Sequence, residues 1–384
     1  MDRRSTGRQP FLARDLRLGR EEVSNLSVGA QNLTWLIAVL SVVLFDVWEG
    51  RLYSEIAVAD PLNSNPVKYV LITPARNEQA FIENTITSML AQTVPPERWI
   101  IVDDGSTDNT AEIVAPFAEQ IRWIELLRRE QRAHRNFAGK VYAFRAGFER
   151  VQSINFEIIG NLDADVSFDA NYLEFLIRKF DEDPKLGVAG TPFTENSGYD
   201  STRDSFEGEN HVAGGCQLFR RRCFEEIGGY VPNQVGGVDW MAVTTARMKG
   251  WRTRSFPEKR FHHYRSLGTA ERGALGSLFS YGEKDYYLGG SPVWQIFRVA
   301  YRMAKRPLII GGLALLSGYC WAALRRIKKP VSRELTRFHR REQMEKLRLI
   351  IGKILRGEKV DSFYVATEKE KPILRWSRQR GDAP

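Results

Sequence analysis

The 384-residue sequence holds only three cysteines, Cys216, Cys223 and Cys320. The number is odd and no CxxC spacing occurs, so neither a zinc cluster nor a disulfide framework is expected. A reducing, cytoplasmic setting fits that usage. The two commonest phosphate-binding loops are missing as well. No GxGxxG follows the first apolar segment, and Gly139-Lys140 runs into Val141 with no upstream glycine at Walker spacing. Dinucleotide and P-loop fingerprints are thereby excluded. The apolar run at 33–45 is short for the roughly 20 residues of a membrane span, whereas the uncharged run at 307–324 is a transmembrane candidate by length alone. Arg3, Arg4 and Arg8 have no apolar run close behind them, so a cleaved signal peptide is not expected.

What is present is an ordinary globular composition, 43% hydrophobic and 27% charged, which argues against wholesale disorder. The formal charge is +9, a statement about partners rather than fold. Residues 325–356 carry twelve Lys or Arg against three Glu, so one stretch holds the whole excess. Phosphate groups are the usual target of such a surface. Nucleic acid is not expected, because no recognition fold is legible and the aromatics are not interleaved with the basic run.

Three domains are expected: an extension and linker at 1–65, a catalytic domain at 66–265, and a helical basic region at 266–384. Asp60-Pro61 and Asn63-Ser64-Asn65-Pro66 supply linker turn chemistry. Short apolar runs at 69–73, 99–103, 121–127, 157–162 and 187–190 then alternate with helical stretches at 79–92, 140–151 and 169–180. Ser106-Thr107-Asp108 offers N-cap chemistry for a further helix. This alternation predicts an α/β class, a doubly wound and mostly parallel sheet with a helical C-terminal extension. Ligands of such sheets sit beyond the carboxyl ends of the strands.

Polar motifs stand at those ends. Thr73-Pro74-Ala75-Arg76-Asn77-Glu78 follows the first strand and Asp103-Asp104-Gly105-Ser106-Thr107-Asp108 the second. The second is also an ordinary turn sequence. Asn161-Leu162-Asp163-Ala164-Asp165 sets two carboxylates one residue apart after an apolar strand, where they could hold Mg²⁺ or Mn²⁺ shared with substrate phosphates. Lys140 lies near a helix start, where a cation and backbone N–H groups could face a diphosphate; a surface lysine would read the same. Asp239, in Gly236-Gly237-Val238-Asp239-Trp240, could act as a general base or merely cap its helix.

Taken in order, TPARNE, IIVDDGSTDNT, GKVYAFRAGF, NLDADV, GGCQLFRRRCFEEIGGY and GGVDWMAVTTARMKGW resemble the family 2 glycosyltransferases of the GT-A fold, over about 200 residues. The resemblance implies a hexosyltransferase-type, inverting enzyme of cell-surface polysaccharide or glycolipid synthesis. Its donor would be a UDP- or GDP-linked sugar, its acceptor a glycan or lipid-linked hydroxyl, and its cofactor Mg²⁺ or Mn²⁺. By the same resemblance Pro74, Arg76 and Glu78 line the nucleoside pocket, Asp104 bonds the base and Lys140 faces the diphosphate. Asp165 is the direct metal ligand, Asp163 lies nearer the ribose, and Asp239 is the catalytic base. His262 or His263 falls where related enzymes place a histidine near the metal, with His263 preferred. Two departures stand out: the ED pair reads Val238-Asp239, and the QxxRW of processive synthases is reduced to QxxR at Gln295–Arg298. Single addition is therefore expected rather than polymerisation. The alternatives are a degenerate transferase serving as a membrane scaffold and a sugar nucleotidyltransferase.

A donor site facing the cytoplasm conflicts with spanning at 307–324, since a span would export the basic tail. An interfacial or re-entrant helix on the inner face of the cell membrane is expected instead. Leu335, Phe338, Leu347, Ile350, Ile351 and Ile354 fall near one face of a basic helix, a pattern suited to an anionic membrane surface or to plain packing.

Overall fold

The structure, a computed structural model, describes residues 67–130, 137–204, 208–233, 236–265, 273–304 and 307–357. Contacts divide the chain into Met1–Asn65 and Pro66–Pro384, and every described residue belongs to the second unit. The apolar run at 33–45 and its linker lie outside the described residues.

The strands are β1 (Tyr69–Ala75), β2 (Arg98–Asp103), β3 (Ile124–Arg128), β4 (Ile158–Leu162), β5 (Val166–Ser167), β6 (Leu186–Gly190), β7 (Phe193–Glu195), β8 (Cys216–Arg220), β9 (Arg252–Ser255) and β10 (Phe261–His263). Seven of them form one sheet in the order β3-β2-β1-β4-β8-β6-β9. All its neighbours run parallel except β8, which pairs antiparallel with both β4 and β6. The expected α/β, mostly parallel sheet is thus present, with one reversed strand at its centre. A second sheet, β5-β10-β7, stands beyond it.

Among them lie helices α1 (Ile82–Leu90), α2 (Thr110–Gln120), α3 (Phe137–Val151), α4 (Tyr172–Glu182), α5 (Ser201–Asp204), α6 (Arg221–Glu226) and α7 (Val238–Met248). Strands β1 and β2 are buried on both faces, which is why they read as unbroken apolar runs. Alternate side chains serve opposite layers. Tyr69, Leu71, Trp99 and Ile101 join Ile86 of α1 and Leu176 of α4 on one side. Val70, Ile72, Ile100 and Val102 join Phe144 of α3 and Val243 of α7 on the other.

Four helices follow: α8 (Ala274–Tyr287), α9 (Pro292–Met303), α10 (Ile310–Leu324) and α11 (Arg333–Leu355). No helix among the described residues is long and apolar enough to cross a membrane. Ser332 caps α11 by accepting a hydrogen bond from the Leu335 N–H at 3.0 Å. The apolar stripe of α11 is divided between packing and solvent, with Ile351 and Ile354 exposed. Leu335, Leu347 and Ile350 are buried, the last two packed with Trp294 of α9. Arg247 of α7 holds Glu342 through both carboxylate oxygens, at 2.7 and 3.1 Å. Trp240 of α7 meets His339 edge-on at 4.5 Å. Polar and aromatic side chains of α11 thus brace α7, while Leu347 and Ile350 of its stripe pack with Trp294 of α9.

Candidate active site

The first two loops are stitched to each other. The Asn77 N–H donates to Ser106 Oγ at 3.0 Å, and the Thr107 N–H donates back to Asn77 Oδ1 at 2.8 Å. The Glu78 N–H reaches Thr110 Oγ1 at 2.7 Å and the Gln79 N–H reaches Asp108 Oδ2 at 3.2 Å. Of the expected N-cap segment Ser106-Thr107-Asp108, Asp108 serves the helix: its Oδ1 accepts the N–H of Thr110, the first helical residue, at 3.0 Å. Ser106 serves the facing loop instead. Asn77 adopts a left-handed backbone, φ 58, which asparagine tolerates better than most residues. Pro74 and Arg76 lie half-buried beside this seam. Asp104, 5% exposed, accepts a hydrogen bond from Arg129 at 2.7 Å.

Beyond β4 the acids gather. The Asp163 N–H donates to the Gly215 carbonyl at 2.8 Å, and Asn161 Nδ2 bridges Asp163 Oδ1 at 3.0 Å and the Gly214 carbonyl at 2.6 Å. Lys140, in the first turn of α3, places its ammonium 2.5 Å from Asp163 Oδ1. Desolvation works against that charge, but Asp163, with help from Asp239 and Asp165, holds Lys140 above the usual lysine range. Asp165 is buried between β4 and β5. Burial pushes its carboxyl up, His263 opposes the shift and Asp163 adds to it.

One ligand atom from each of Asp163, Asp165 and His263 lies within 4.8 Å of the others. The pair of histidines divides by strand alternation. His262 turns away to Thr194 at 3.3 Å and Asn196 at 2.9 Å, whereas His263 is 5% exposed and faces inward. His263 Nδ1 donates to the Arg265 carbonyl. That bond turns Nε2 toward Asp165 Oδ1, 3.5 Å away, a spacing at which one cation can bind both. Two carboxylates with one imidazole suit Mn²⁺, and the carboxylates with retained waters suit Mg²⁺. The residues present fit the ion.

Arg265 went unnoticed in the sequence. Its guanidinium grips both oxygens of Glu78, at 3.0 and 2.5 Å, and its Nε stands 3.8 Å from Asp165 Oδ2. Glu78 is nonetheless pushed up to about 7, first by burial and then by the Asp165 charge, against the pull of Arg265. No strand pattern pointed to it, because β10 ends at His263 and Arg265 lies in the bend that follows. Asn161, by contrast, precedes Asp163 by two residues at the end of β4. Arg129 offered no signal before β3 was known to end beside β2.

Asp239 occupies the first turn of α7, behind Gly237 at the N-cap position with φ 73. It is not the cap itself. A Cβ on Gly214 would sit 3.0 Å from Asp239 Cβ and 3.1 Å from Oδ2, so glycine is what lets α7 close on the Asn161–Asp163 turn. The structure therefore brings Glu78, Lys140, Asp163, Asp165 and His263 into one cluster, with Asp239 across Gly214.

Residues 70–228 match the family model described as glycosyl transferase family 2. Among curated proteins, a poly-beta-1,6-N-acetyl-D-glucosamine synthase of Staphylococcus aureus is 34% identical over 121 residues, 31% of this chain and 27% of that protein. A Staphylococcus epidermidis synthase of the same name is 32% identical over 123 residues, with the same shares. The matched segment thus spans little more than a quarter of those relatives. Among solved structures, a mannosyltransferase from Pyrobaculum calidifontis in complex with GDP-Man and Mn²⁺ is 20% identical, at TM-score 0.46 over 85% of this chain and 91% of that one. Staphylococcus aureus TarS 1-349 with UDP-GlcNAc is 15% identical, at TM-score 0.46 over 71% and 78%.

Proposed function

We propose, from the match of residues 70–228 to the glycosyl transferase family 2 model, that the chain moves a sugar from a UDP- or GDP-linked donor to a hydroxyl of a glycan or lipid-linked acceptor. We place it at the inner face of the cell membrane, on an anionic surface. The observation that carries the reading is the convergence of Asp163, Asp165 and His263 within 4.8 Å, beside Lys140 and across Gly214 from Asp239. A cluster of acids around a cation-sized gap, next to a lysine at a helix start, suits a diphosphate leaving group.

In this proposal the stitched loops at Pro74–Glu78 and Asp103–Asp108 hold the nucleoside, with Asp104 and Arg129 toward the base. Asp163, Asp165 and His263 would hold Mg²⁺ or Mn²⁺, whose charge would offset that of the departing diphosphate. Lys140 faces the same phosphates from the α3 terminus. Asp239 takes the proton from the acceptor hydroxyl. The acceptor oxygen forms its bond to the anomeric carbon from the face opposite the diphosphate, and the pair of electrons in the breaking C–O bond leaves with the nucleoside diphosphate. The anomeric centre inverts. The QxxR at Gln295–Arg298, without the Trp of QxxRW, favours one addition per encounter. The synthase names of the curated relatives favour a second reading, polymerisation of N-acetylglucosamine, and product length separates the two.

The test is release of nucleoside diphosphate from a panel of nucleotide sugars with Mn²⁺. Metal-dependent release that prefers one donor and is lost in Asp165→Ala supports the transferase. Donor binding without release, even with membrane extract as acceptor, would make the chain a scaffold.

A further inference from the structure

Helix α10 is apolar around its whole circumference, yet only one side is packed. Gly311, Gly312, Leu315, Gly318 and Ala322 are buried. A Cβ on Gly318 would run into the Phe279 carbonyl of α8, and one on Gly282 of α8 into the Leu315 carbonyl, so the two backbones lie in contact. On the opposite side Ile310, Leu313, Ser317, Cys320, Trp321 and Leu324 recur every three or four residues, and all six are exposed. Leu324 is 79% exposed and Ile310 56%, and the preceding loop adds Leu308 at 59% and Ile309 at 60%. A contiguous apolar ridge of this kind marks an interaction surface.

Charge identifies the partner. The Arg325 guanidinium lies over the Trp321 ring at 4.6 Å from its centroid, and exposed Arg326 and Lys328 follow. In sequence Lys305 and Arg306 stand before the other end. Tryptophan and arginine at the end of an apolar ridge suit the headgroup layer of a bilayer. A second copy is a poorer occupant, because parallel and antiparallel pairing of two such helices would both set basic end against basic end. With 15 residues the helix is about 22 Å long, shorter than the roughly 30 Å apolar thickness of a bilayer.

We propose that the exposed face of α10 seats the chain on an anionic bilayer surface, its axis in the membrane plane and Arg325 and Arg326 among lipid phosphates. This deepens the membrane part of the proposed function and is independent of the donor chemistry. It sharpens the interfacial expectation for residues 307–324 by naming the face of α10 that meets lipid.

Cys320 supplies a probe, since it is exposed on the ridge while Cys216 and Cys223 are buried. The full chain, labelled there with an environment-sensitive fluorophore, is titrated with vesicles of phosphatidylcholine alone and mixed with phosphatidylglycerol. Blue-shifted emission and co-flotation with the anionic vesicles, reversed by salt, are expected. Leu313→Glu should weaken vesicle binding at least about tenfold with unchanged melting. Arg325→Glu should weaken it about fivefold or more. A shift that tracks protein concentration without vesicles would assign the ridge to a second copy and overturn the proposal. Cys320 that does not react in the folded chain would assign it to the chain's own residues. Vesicle binding indifferent to Leu313→Glu would overturn it too. Donor turnover by the same preparations without vesicles reads the transferase proposal separately.

Discussion

The sheet region and the four C-terminal helices treat polarity in opposite ways. Around Asp165 the chain buries charge: Glu78, Asp165 and His263 are all under 10% exposed, and Lys140 and Arg265 answer them at the rim. Around α10 it exposes apolar surface that would ordinarily be hidden. Glycine serves both ends. At Gly214 its missing side chain admits the Asp239 carboxylate, while at Gly282 and Gly318 it lets one helix backbone rest on another. Burying like charges costs stability unless a cation joins them, and exposing an apolar ridge costs solubility unless a surface covers it. Each region thus carries a cost that its proposed ligand would offset. The two are mechanically joined, because α11 packs on α7 through the Arg247–Glu342 pair, and α7 carries Asp239.

The largest expected effect tests the charged region. Asp165→Ala should lower release of nucleoside diphosphate by about three orders of magnitude, and undiminished release would remove the acid cluster from the chemistry. Asp239→Asn should slow transfer by about 10²–10⁴ while donor affinity, measured calorimetrically, stays unchanged; equal loss of affinity would make Asp239 a donor ligand. Gly318→Leu should destabilise the helical region by about 3 kcal/mol or more, read as a lowered melting midpoint. If donor binding collapses with it, the two regions fold as one cooperative unit and the contrast between them is only local.

Glu78 gives a pH signature. Below its ordinary value of 4.5 it is protonated in both folded and unfolded chains and its burial is cheap. As pH rises toward about 7, the unfolded chain releases the proton first, so folded stability falls across that window. The loss is of the order of 3 kcal/mol. Melting in chelator should therefore drop between pH 5 and about 7, and Glu78→Gln should flatten the curve. A melting midpoint that rises over that window would show Arg265 winning over burial. The smallest effect expected is at the base pocket. Arg129→Ala should weaken nucleoside diphosphate binding about tenfold, and an unchanged affinity would leave Asp104 a purely structural acid.

The elements that read most clearly were those whose local pattern and tertiary fate agree. Residues 69–73 and 99–103 lie inside β1 and β2 because strands buried on both faces must be apolar throughout. The expected strand at 121–127 is found three residues later, at Ile124–Arg128, since pairing with β2 rather than hydrophobicity sets its start. Strand β8 escaped notice. Cys216–Arg220 is short, carries a buried Gln217, and owes its extended form to antiparallel partners on both sides. The two- and three-residue strands β5, β7 and β10 carry no periodic signal at that length.

For the site, the residue types were legible and their company was not. The order of TPARNE, DDGSTD, DAD and GGVDW pointed to the acids, because strand ends in a doubly wound sheet are where ligands bind. That His263 rather than His262 faces Asp165 depends on the register of β10 against β5, His263 opposite Val166. That Arg265 closes on Glu78, 187 residues away in sequence, no local pattern could announce. The sequence by itself determined the apolar runs, the acids after them and the basic excess near the C-terminus, because these follow from composition and short-range spacing. The tertiary structure alone decided that α11 buries Leu335, Leu347 and Ile350 while the ridge of α10 is left in the open. Helix α11 and helix α10 both offer an apolar face, and only packing against α7, α8 and α9 tells one from the other.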